Sequence, residues 1–145
     1  MNKLIISGIL ALAGGLSAPP TAQAQGTIYI SNLGETPSGS LPVGSDSWAA
    51  VLFRTGTSSG GYFLNSVQLA MADASGDPSG FSVMLYNNVG AAGPQPGSSL
   101  GSLTGSSSPS TAGVYIYTPA TDLMLSAGTY YYVVLTAGTP AANGA

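Results

Sequence analysis

The chain has 145 residues, 21 of them Gly and 10 Pro, and it contains no Cys and no His. Charged residues make up only 5% of it and the formal net charge is −3, where an ordinary soluble domain carries roughly 25% charge. These facts exclude disulfides, thiolate nucleophiles, imidazole bases, Cys/His zinc sites and a lipid on an N-terminal cysteine, and with Lys3 and Arg54 as the only cations they exclude a phosphate-binding basic patch as well.

In chain order, residues 1–3 form a short positive start, residues 4–16 an apolar run, and Ala22-Gln23-Ala24 an A-x-A site. This pattern predicts a secretory signal over residues 1–24, cleaved before Gln25. The apolar run is too short to span a bilayer, which takes about 20 residues, so no membrane span is expected in the mature chain. Residues 25–145 are then one domain, too short for two. The mature domain keeps Arg54 against Glu35, Asp46, Asp73, Asp77 and Asp122.

Residues 26–31, GTIYIS, alternate Ile28 and Ile30 with Tyr29 and read as the first strand. Residues 32–47, with Pro37 and Pro42, read as an irregular connection. Strands are predicted at 48–55, at 62–72 with Leu64, Val67, Leu69 and Met71 facing the core, and at 81–87 with Phe81, Val83 and Leu85 on one face. The turn DASGDPSG between the last two predicts that they pair as a hairpin. Residues 89–99 read as a Gly/Pro loop, 100–103 as a brief apolar contact, and 104–113 as a Ser-rich loop. Val114 and Ile116 then alternate with Tyr115 and Tyr117.

The stretch LMLSAGTYYYVVL, residues 123–135, is the strongest strand signal: aromatic and β-branched residues on both sides of an Ala127-Gly128 turn. Leu123 and Leu125 are expected inside. Residues 130–135 are apolar on both faces, which predicts a central strand. Only ten residues follow Leu135, so the domain is read as one whose closing strand is cut off, with an exposed strand edge left for self-association. Seven or eight short strands with no helical period predict an all-β fold, an antiparallel β-sandwich of jelly-roll type.

Two clusters are candidate sites. Asp73, Ser75 and Asp77 place oxygens at alternate positions of a Gly-containing loop, a spacing that can hold calcium, although the same residues make an ordinary turn. Trp48, Tyr115, Tyr117, Tyr130 and Tyr132 offer flat faces for sugar rings, although tyrosines also pack across strands in sheets without any ligand. No catalytic residue is expected, because the acids are dispersed and no general base with an orienting partner can be assembled. Calcium is thus the only cofactor the residues suggest.

The segments FRTG (53–56), YFLNSV (62–67), PSGFSV (78–83), residues 96–103 and AGTYYYVVL (127–135) resemble the choice-of-anchor R family over residues 48–137. That resemblance implies an exported bacterial protein of the cell surface or extracellular matrix. Many such proteins carry a C-terminal sorting signal of the PEP-CTERM kind, a pattern missing after Leu135. It implies no catalytic residues. The expected function is display or adhesion by a non-catalytic module, secreted or held at the cell surface, with extracellular polysaccharide or envelope proteins as partners and no nucleic acid. A carbohydrate-binding module is the alternative.

Overall fold

The structure is a computed structural model that describes residues 31–74, 79–90 and 93–141. The predicted signal, the predicted first strand apart from Ser31, and both Ser75 and Asp77 lie outside these residues. Among the described residues there are eight strands and no α-helix: β1 (Ala49–Arg54), β2 (Tyr62–Phe63), β3 (Val67–Met71), β4 (Ser82–Asn88), β5 (Pro96–Thr104), β6 (Gly113–Pro119), β7 (Met124–Leu125) and β8 (Tyr130–Thr136). All pairings are antiparallel. The fold is all-β and sandwich-like, as expected.

Six strands run β1-β8-β4-β5-β6-β3, and β2 pairs β7 separately. The pairs β1·β8, β2·β7, β3·β6 and β4·β5 nest one inside another, which is the pairing scheme of a jelly roll. The join between β5 and β6 is narrow, only Leu103↔Pro119 and Thr104↔Thr118. There the sheet folds over, and β3 and β6 come to lie across β1, β8 and β4. The main core fills the space between: Val83, Leu103, Tyr117, Val133 and Leu135, with Val67, Leu69 and Met71 packed against them. A second cluster of Leu85, Leu125 and Tyr131 sits under the β2·β7 pair.

β8 is central, as its two apolar faces predict, because β1 and β4 flank it. Its edges are therefore both used, and the exposed edge expected next to Leu135 is not there. The free edges of the described sheet belong to β1 and β3. Two further expectations need correction. The hairpin of 62–72 with 81–87 does not form: β3 pairs β6, and β4 pairs β5 and β8. The loop after β3 is held toward β6 instead, since Ala112 N–H donates to Asp73 Oδ1 at 2.6 Å and Ala74 N–H to the Ser110 carbonyl at 3.1 Å. Moreover, 62–72 is two strands, with β2 and β3 in different sheets.

Residues read as a Gly/Pro loop begin the nine-residue strand β5. Its partner β4 imposes the extended form, and register shifts at Leu85/Tyr86 and Tyr86/Asn88 absorb the irregular sequence. Pro96 occupies the first position, where a missing N–H costs least. The Ala127-Gly128 turn is present, with Gly128 at φ 62°, the left-handed region that glycine reaches without a Cβ clash. Rather than joining a hairpin, it carries the chain from the two-stranded sheet into β8. The buried Thr55 fastens this turn to β1: its hydroxyl donates to the Ser126 carbonyl at 2.6 Å and accepts Thr129 N–H at 2.9 Å.

Candidate functional site

The pleat sorts the aromatic residues by face. Cross-strand partners share a face in an antiparallel sheet, so Phe53, Tyr131 and Asn87 stand together on the core side of β1, β8 and β4. Leu52, Tyr132 and Tyr86 stand on the opposite side. Tyr132 is only 6% exposed there, and Tyr117 is 1% exposed in the main core. Neither can present a ring to a sugar, so both drop out of the expected platform. Tyr115 is half-buried, its hydroxyl donating to the Thr111 carbonyl at 2.9 Å. Trp48, 58% exposed, and Tyr130 remain outward. Of the five aromatics offered as candidate sugar faces, the fold buries Tyr117 and Tyr132 and divides the others among several surfaces.

Tyr117 shows why. Its ring packs against Phe81 at 6.0 Å between centroids, and its hydroxyl donates to the Ser106 carbonyl at 3.0 Å, so the polar tip is satisfied inside. Burial, and secondarily the Tyr115 phenol beside it, pushes the Tyr117 pKa above its ordinary value. The sign follows from linkage: a raised pKa means stability that is fully present below pH 10.0, the unfolded value, and lost as pH rises through the folded value. An ultraviolet titration of phenolate absorbance is expected to show one tyrosine ionising later than the rest, together with the alkaline unfolding transition. In Tyr117→Phe that late step should vanish. A late step that survives the substitution would contradict this assignment.

Of the candidate metal ligands only Asp73 lies among the described residues, Ser75 and Asp77 lying outside them. Asp73 Oδ1 holds Ala112 N–H, and no group of three or more His, Cys, Asp or Glu side chains meets within the described residues. Asp46 serves likewise as a tie, accepting Ala141 N–H at 2.7 Å. No described helix is long and apolar enough to cross a membrane.

An open depression of about 570 Å³ lies among the described residues at the end of β4 and the start of β8. Tyr130, Met124, Leu100, Asn87 and Asn88 line it. Asn87 Oδ1 accepts Ser98 N–H at 2.6 Å and Asn88 Oδ1 accepts Gln95 N–H at 3.0 Å. With the oxygens engaged, each amide is oriented with its NH₂ as the remaining donor. Arg54 lies over the Tyr130 ring at 5.3 Å and donates from Nε to the Gly128 carbonyl at 3.0 Å. Such a stacked cation contributes about 0.5–1 kcal/mol at an exposed site.

The chain matches no family model, no curated protein and no solved structure.

The site is therefore read from its own geometry. Of the expected residues only Tyr130 reaches the depression. Asn87, Asn88, Leu100 and Met124 were not foreseen; the one visible signal was the Asn-Asn pair breaking the alternation that runs through residues 81–86. A further outward feature is the edge strand β1, where Val51 and Leu52 are exposed on its two faces and Trp48 is exposed just before it.

Proposed function

We propose that the protein is an exported, non-catalytic β-sandwich module of the bacterial cell surface or extracellular matrix, acting in display or adhesion. The observation that carries this reading is the exposure of Leu52 on the outer face and Val51 on the other face of the edge strand β1, with the exposed Trp48 just before it. Apolar residues left exposed on both faces of one edge strand favour contact with another surface. The predicted secretory signal and the resemblance to the choice-of-anchor R family support the same reading. So does the use of two of the few carboxylates, Asp46 and Asp73, as ties for backbone N–H groups.

The test has two parts. Protease added to intact cells that express the full chain is expected to remove it, and beads coated with the purified protein should adhere to cell-envelope material. Trp48→Ser/Val51→Ser/Leu52→Ser should adhere several-fold less while unfolding at the same urea concentration. Protection of the chain inside intact cells, or unchanged adhesion of the triple variant, would overturn the proposal.

A second reading is favoured by the depression beside Tyr130, where an aromatic face, two amide donors and two apolar side chains adjoin. That combination suits a sugar ring, with or without calcium elsewhere in the chain. Binding on a glycan array that falls in Tyr130→Ala would establish it. No binding by folded protein would remove it.

A further inference from the structure

We propose that β1 is a self-pairing edge: two copies join antiparallel through β1 about a twofold axis at Ala50. The register sets Trp48 of each copy against Leu52 of the other and brings Arg54 near the bend that carries the other copy's Asp46. This goes beyond the adhesion reading by naming the partner as a second copy, and it rests on that reading only in using the same strand.

The direction of the backbone groups is the first step. Ser45 N–H donates to the Thr139 carbonyl and Thr55 N–H to the Thr129 carbonyl. Both contacts continue the register in which Ala49 faces Leu135 and Phe53 faces Tyr131. In an antiparallel ladder, hydrogen-bonded and non-bonded pairs alternate. Odd-numbered residues of β1 therefore bond to β8, and Ala50, Leu52 and Arg54 aim their N–H and C=O groups away from it. No other described strand takes them. An edge of this kind is a template for a further strand.

Side chains choose between the two free edges. At β3, the other end of the sheet, no large apolar residue is exposed and no residue is charged. At β1, Val51 is 53% and Leu52 38% exposed, with Trp48 just before them. An isologous pair must be self-complementary. Pairing across the outward groups allows a centre at Ala50, Val51 or Leu52, and the Val51 centre sets Arg54 against Trp48 and Ala50 against Leu52. The Leu52 centre sets Arg54 against Ala50 and Trp48 against Gly56. Centring on Ala50 sets the small alanines together at the axis and Trp48 against Leu52, and it brings Arg54 at the end of each β1 to the bend at residues 44–46 of the other copy, which carries Asp46. The described contacts of Arg54 are neutral, the Gly128 carbonyl and the Tyr130 ring. Asp46 engages Oδ1 with Ala141 and retains its second oxygen. Charge complementarity thus selects the Ala50 register.

The test is sedimentation of the full chain over about a hundredfold range of concentration, where a dimer must follow mass action. The wild type is expected to pass from monomer to dimer. Ala50→Pro removes an outward N–H but no bond to β8, so it should unfold at the wild-type urea concentration and dimerise at least about tenfold more weakly. Should Ala50→Pro fail to fold, Leu52→Lys, an outward charge on the same edge, takes its place with the same expectation. Arg54→Asp should weaken the dimer by roughly tenfold, two exposed ion pairs being at stake. Asp46→Arg/Arg54→Asp should dimerise more tightly than Arg54→Asp and Asp46→Arg alone. A monomer at every concentration overturns the proposal, whether the edge is then taken by residues 26–31 of the same chain or by another protein. A dimer indifferent to Ala50→Pro and Leu52→Lys overturns it also. These outcomes leave protease accessibility on intact cells unaffected, so the two readings fail separately.

Discussion

Replacing Leu85 by Ala is expected to lower the stability by about 3 kcal/mol, within the range of about 2–5 kcal/mol for a buried leucine. Leu85 is fully buried and sits between its ladder partners Val133 on β8 and Gly101 on β5. It packs with Leu125 and Tyr131, and Phe53, Tyr62, Leu64 and Leu123 close around them. This one side chain therefore joins β4 to the small β2·β7 sheet. The cavity left by truncation has backbone on two sides and little room to collapse. A domain of this size has about 5–15 kcal/mol in total, so the folded-to-unfolded ratio should fall by roughly a hundredfold. The measurement is the urea midpoint beside that of Leu52→Ala, an exposed leucine on the outer strand, which should change by no more than about 0.5 kcal/mol. Equal losses in the two variants would mean that the small sheet does not cover Leu85.

Tyr117→Ala is expected to be at least as severe, about 3–5 kcal/mol for a large aromatic in a core. The ring fills the space between Phe81 and the backbone of Gly105, where any side chain would run into it. Its loss also strands the Ser106 carbonyl. Tyr117→Phe separates the two contributions, because it keeps the ring and removes only the hydrogen bond, at about 1 kcal/mol. Thermal unfolding of both variants checks the ratio. A Phe variant as unstable as the Ala variant would show that the hydroxyl, not the ring, holds β6 in place.

The strands with clean alternation were legible as strands. Residues 67–71, 81–87 and 130–135 alternate or stay apolar because they lie half-buried or central, and the fold uses them so. The partner of each strand was not legible, since pairing is decided by contacts distant in sequence. β3 and β4 are near neighbours along the chain, yet each bonds elsewhere. The start of β5, residues 96–99, reads as loop and residues 100–103 as a brief apolar contact because PGSSLGSLT has no apolar period; its strand form comes from lying between β4 and β6.

Faces were harder than strands. On β6 the more apolar Val114 and Ile116 are outward while Tyr115 and Tyr117 turn inward. A period of two gives two faces and does not say which is covered. That ambiguity is why alternation alone does not say which of the candidate aromatics face outward. The depression near Tyr130 is invisible for a related reason: its amide donors matter only because the backbone N–H groups of Gln95 and Ser98 occupy their oxygens.

Amide hydrogen exchange on the purified full chain tests most directly whether β1 is the open working edge. At low concentration the Ala50, Leu52 and Arg54 amides should exchange quickly, while those of Val51 and Phe53, bonded to β8, exchange slowly. Raising the concentration should slow the first set selectively. Protection of Ala50, Leu52 and Arg54 at every concentration would contradict the account, because the edge would then already be closed within a single copy.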